Sequence, residues 1–141
     1  MQGNNLHAYA YKETKVKTAS QGQIIVMLYD AAIRNMDSAI ETLDSSSRQY
    51  DQVNTALTKS RDIITELICA LDVENGGAFA ERMFALYMWF NQQLLEANLA
   101  KDAASIKVVR GMMADLRDAW AQIAGRTNVQ GRAVTGVNLA G

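Results

Sequence analysis

Residues 105–124, SIKVVRGMMADLRDAWAQIA, decide the fold. Ile106, Val109, Met113, Leu116, Trp120 and Ile123 recur at alternating intervals of three and four. That is the period of one face of an α-helix, whereas a half-buried strand would alternate every second residue. A helix with one apolar stripe needs neighbours to bury it, so the question passes to the rest of the chain.

Three further segments carry the same kind of stripe. Ser20 and Gln23 make a capping box, in which each side chain satisfies an orphan N–H of the first turn. Ile25, Leu28, Ala32, Met36, Ala39 and Leu43 follow it. After the turn-rich DSSSRQYD (44–51) come Val53, Leu57, Ile64, Leu67 and Leu71, and then DVENGG (72–77) breaks the pattern. A third helix from about Gly77 to Leu99 places Phe79, Met83, Leu86, Phe90, Leu94 and Ala97 on one face. Asp102 is positioned to cap the fourth, and Gly125 suits a left-handed stop. Four helices of similar length with short links predict an all-α, antiparallel up-down four-helix bundle. Its body is expected over 20–124. A mobile N-terminal arm over 1–19, with room for a short extra helix, precedes it, and a flexible tail over 125–141 follows.

Composition agrees. Hydrophobic residues make up 49% and charged residues 21% of 141, a globular profile with enough chain for a core. Proline is absent, which suits uninterrupted helices. The formal net charge of −1 and the mixed placement of charges give no basic patch for nucleic acid and no polybasic run for a lipid surface. The opening residues hold no secretory apolar region, no run reaches membrane-spanning length, and Cys69 is the single cysteine. A soluble, cytoplasmic protein is the expectation.

MFALYMWF (83–90) is greasier than a one-stripe helix requires. Placed at about 100° per residue, Ala80, Phe84, Tyr87, Met88 and Leu95 form a second sector beside the core stripe, with Asn91 and Asn98 embedded in it. Trp89 falls alone on the other flank. Helix four offers a weaker second sector in Val108, Met112 and Ala119, and helix one in Tyr29, Ile33 and Ile40. Such a surplus reads as an exposed docking surface, where methionine adapts its shape and tyrosine keeps a polar end. It reads equally as a broadened core or a face covered by the arm, and composition leaves these alternatives open.

Catalytic chemistry is not visible. The only histidine, His7, lies in the arm, and no Glu-x-x-His pairs exist for a metal bundle. Gly76 and Gly77 lack the remainder of a phosphate-cradling motif. No catalytic residue, metal or cofactor is expected, and the chain reads as a non-enzyme. A filament subunit would need heptads running through the links, which DSSSRQYD and NGG interrupt.

Several stretches together resemble the flagellar secretion chaperone FliS family. They are Tyr11 followed by VKTAS (16–20) and IIVMLYDAAI (24–33), then LDVENGG (71–77), LYMWFNQQLLEANLAKD (86–102) and DLRDAW (115–120). The resemblance implies a cytoplasmic helical bundle that binds the disordered C-terminal segment of newly made flagellin. It implies that the chaperone prevents premature polymerisation and supports delivery to the flagellar type III export apparatus. Tyr29, Tyr87 and Asn98 match family motif positions and would contact flagellin. Ile33, Phe84, Met88, Asn91, Leu95, Val108 and Met112 join them from the helical wheel. Tyr11 and Val16 in the arm would occlude the groove until flagellin arrives. Further partners implied are the membrane export gate and an anti-sigma factor, with no nucleic acid and no membrane insertion. Gln21 departs from the family's proline, and Gly111 interrupts helix four.

Overall fold

The computed structural model describes residues 21–130, and their side chains as far as residue 126. Four helices follow one another: α1 (Gln21–Asp44), α2 (Tyr50–Cys69), α3 (Gly77–Ala100) and α4 (Ala103–Gln130). Each packs on two neighbours, with α1 opposite α3 and α2 opposite α4 across the bundle. Ser20, Tyr11, Val16 and the tail beyond residue 130 lie outside the described residues. The expected capping box at Ser20 therefore lies partly outside them too.

The packing is uneven. α1 turns Gly22, Ala32 and Ala39 inward among Ile25, Tyr29, Ile33 and Met36. Small residues let neighbouring backbones approach, and α2 comes close enough for the buried Ser60 hydroxyl to donate to the Ala32 carbonyl at 3.0 Å. α3 turns Met83, Tyr87, Phe90 and Leu94 inward with Ala80 and Ala97. It packs more sparsely than α1 does on both of its neighbours, most sparsely on α4.

The links are specified locally. Between α2 and α3, Asp72 accepts from the Asn75 amide at 3.1 Å and its carbonyl accepts from the Gly76 N–H at 2.7 Å. Gly77 then takes φ +59°, a left-handed conformation that glycine adopts without the Cβ penalty. Between α3 and α4, Lys101 sits at φ 53°. The Asp102 N–H reaches back to the Ala97 carbonyl at 2.9 Å, the long bond of a Schellman motif. Asp102 caps α4 as expected, accepting from the Ala104 N–H at 3.0 Å and the Ser105 hydroxyl at 2.7 Å. The Ser105 hydrogen bond, chiefly, holds the Asp102 carboxyl below its ordinary pKa.

Two expectations about helix limits and faces are corrected. α4 runs on through Gly125, which has no left-handed φ, to Gln130. In α3 the core stripe is Ala80, Met83, Tyr87, Phe90, Leu94 and Ala97, itself a strict alternation of three and four. Phe79, expected inside, is 46% exposed and packs edge-on against Trp120 at 6.4 Å between ring centres. Leu86 is only partly buried. Choosing the larger hydrophobe over Ala80 and Tyr87 turned the predicted stripe toward α4. A tyrosine can lie fully inside when its hydroxyl finds a partner.

An ion-pair ladder joins α1 to α4. Arg117 pairs with Asp30, Arg110 with Asp37 and Lys107 with Asp44, at 2.7, 2.9 and 3.0 Å. Asp30, Asp37 and Asp44 are spaced by sevens, two helical turns on one flank. Both arginines are held above their ordinary pKa by the hydrogen bond to their aspartate. The pairs are half-exposed, so they contribute more to which helices adjoin than to total stability.

Candidate peptide-docking surface

Three of the predicted site residues are interior. Tyr29 is fully buried, Tyr87 is 2% exposed and Ile33 9%. The two tyrosine hydroxyls hydrogen-bond each other at 2.6 Å across the α1–α3 diagonal, and either can be the donor. Burial, foremost, raises both tyrosines well above the ordinary range. The expectation that these residues line an exposed groove is corrected: Ile33 is part of the core, and the two tyrosines form a buried polar link between α1 and α3.

The other expected residues remain at the surface, on two separate flanks. Phe84 and Met88 are 41% and 50% exposed, and Leu95 is partly exposed. They share one flank of α3 with Asn91 and Asn98. Asn91 donates to the Thr65 hydroxyl at 3.2 Å and Asn98 to the Asn54 side chain at 2.8 Å, which turns this flank toward α2. Asn98 also accepts from the Lys101 ammonium, which lies 6.0 Å from the Tyr50 ring centre.

Val108 and Met112 are exposed on α4. Each lies two residues from Arg110, about 200° around the helix, and Arg110 faces α1. They belong to the α3–α4 side, where Phe79, Trp89 and Ile123 are also exposed. Trp89 is turned about 140° from Phe84 around α3. The single groove expected from sequence is thus two apolar strips on either side of α3, and Trp89 is not alone on its flank.

Asn54, Arg61 and Thr65 on the α2 wall carried no signal in the sequence, being polar residues on a helix read only for its apolar stripe. The concavity between α1 and α2 is lined by Asn35, Ser38, Asp51, Gln52, Thr55, Ala56 and Lys59. Among the described residues no three His, Cys, Asp or Glu side chains are grouped to hold a metal, and no helix is long and apolar enough to cross a membrane. The exposed surface thus sets aromatic and thioether side chains beside amides, a combination suited in general to docking.

Comparison with known proteins gives the family. The family profile described as "Flagellar protein FliS" matches residues 3–127. The chain belongs to the FliS family. The flagellar secretion chaperone FliS of Salmonella typhimurium is 35% identical over 131 residues, covering 91% of this chain and 94% of that protein. Its namesake in Escherichia coli K12 is 30% identical over 119 residues, covering 84% and 86%. The Bacillus subtilis FliS is 29% identical over 113 residues, covering 80% and 82%. These three relatives match over 80–91% of this chain, and the family profile spans the residues that hold both apolar strips.

Proposed function

We propose that this FliS family member is a cytoplasmic, non-enzymatic export chaperone for flagellin. It holds flagellin's disordered C-terminal segment, keeps it from polymerising early and supports its transfer to the flagellar type III export apparatus. The supporting observation is the surplus apolar surface of α3. Phe84, Met88 and Leu95 lie on one flank, Trp89 on the other, and Val108 and Met112 across the seam on α4. A flexible amphipathic segment that orders on a preformed apolar surface suits this layout, because it can bend around α3 and use both strips. Asn91 and Asn98 supply hydrogen bonds to its backbone. In the absence of flagellin, Tyr11 and Val16 of the N-terminal arm shield the same surface. The export gate and an anti-sigma factor are further partners under this reading.

The test is calorimetric titration of the full chain with a synthetic flagellin C-terminal peptide. Saturable binding is expected. Phe84→Asp should weaken it by about 2 kcal/mol or more, the scale of an interface hot spot, with helicity by circular dichroism retained because Phe84 lies off the core. No binding by the wild-type chain refutes the chaperone reading, and an unfolded Phe84→Asp variant moves Phe84 into the core.

A further inference from the structure

Among the described residues, the α2–α3 seam contains a donor and an acceptor without partners. Arg61 lies seven residues after Asn54 and four before Thr65, so the three share one face of α2. Asn54 and Thr65 both hydrogen-bond α3, which places Arg61 on the same wall between them. Its Nε is buried and has no hydrogen-bond partner. Among the described residues the ion pairs engage Arg110, Arg117 and Lys107 but not Arg61.

The contrast with those arginines gives the chemistry. Arg110 presents Nε and Nη2 side-on to the two oxygens of Asp37 at 2.9 and 3.3 Å. Arg117 does the same to Asp30 at 2.7 and 3.4 Å. Arg61 has the same fork, and among the described residues no carboxylate pairs with it. A guanidinium fork is matched in shape and charge by a carboxylate.

The acceptor is Asn91 Oδ1, also buried and unpartnered. Its orientation follows from Thr65. The Thr65 hydroxyl gives its only proton to the Arg61 carbonyl at 3.0 Å, so toward Asn91 it can only accept. Asn91 must therefore turn its NH2 to Thr65, leaving its oxygen directed away. The Thr65 hydroxyl thus joins the Arg61 backbone carbonyl to the Asn91 amide, and the unmet Arg61 Nε and Asn91 Oδ1 belong to this same seam, whose α3 flank carries the exposed Phe84 and Met88.

Resting on the chaperone reading above, we propose that this pair receives the C-terminus of the docked chain. The terminal carboxylate enters the Arg61 fork, and the N–H of the last peptide unit donates to Asn91 Oδ1. A chain end carries those two groups at a fixed short separation, and an acidic side chain does not. The seam then sets where the docked segment ends, while the apolar strips hold its body.

The test uses the full chain and a flagellin C-terminal peptide made as free acid and as C-terminal amide, titrated calorimetrically. Amidation should weaken binding to wild type roughly ten- to hundredfold, the range for loss of a charge-assisted hydrogen bond. Arg61→Gln should bind both peptides equally, at the level of the amide on wild type. Equal affinity of acid and amide for wild type overturns the proposal while leaving the chaperone reading intact. If Arg61→Gln weakens both peptides and keeps their ratio, an internal acidic side chain occupies the fork and the terminus assignment fails. If neither peptide binds wild type, the chaperone reading falls and takes this inference with it.

Discussion

The buried Tyr29–Tyr87 link offers a quantitative check on how α3 is held. Tyr29→Phe removes the oxygen that bonds Tyr87 and strands one buried hydroxyl. At about 1–3 kcal/mol for a buried group left unsatisfied, the cost should be about 2 kcal/mol. Tyr87→Phe strands the Tyr29 hydroxyl in turn and should cost about 2 kcal/mol as well. In the double variant neither hydroxyl is left stranded, and the loss should be about 1 kcal/mol rather than the sum. Urea denaturation followed by circular dichroism measures all four corners. Strict additivity would refute the reasoning, because it would mean the two hydroxyls do not interact in the folded state. The same pair predicts alkaline sensitivity. Both tyrosines have raised folded pKa values, so their contribution is complete below the unfolded value near 10 and declines as pH rises above it. Melting temperatures between pH 8 and 11 should fall at the upper end, and less steeply in the double variant.

Two simpler variants probe the helices. Gly111 faces open space in mid-α4, so Gly111→Ala should raise stability by about 1 kcal/mol through helix propensity, seen as a higher urea midpoint. An unchanged or lower midpoint would mean that the site is not free helix surface. Phe90 is fully buried, and Phe90→Ala should cost about 3–5 kcal/mol in the same assay. A loss below about 1 kcal/mol would show that Phe90 is not core.

Much of the fold was legible because it rests on local rules. The three-and-four spacing in α1, α2 and α4, the Asp72–Gly77 turn and the Asp102 cap all act over a few residues. The resemblance carried the family as well, through motifs at those same links and helix faces. What sequence misjudged concerned faces rather than elements. Tyr29 and Tyr87 look amphipathic, and a tyrosine reads as surface until its hydroxyl has a partner; here each is the other's partner, 58 positions away in the chain. Phe79 reads as core by size, yet it flanks Trp120 at the rim.

Sequence alone determined that this chain forms four amphipathic helices, where three of them begin and end, and that α3 carries more apolar surface than one stripe. Tertiary structure alone decided which part of that surplus stays wet. Helix periodicity fixes angles around an axis, but burial depends on what stands opposite. The small residues of α1 let α2 approach, the aspartates of α1 hold α4, and α3 is left the most sparsely packed, with an apolar strip on each side.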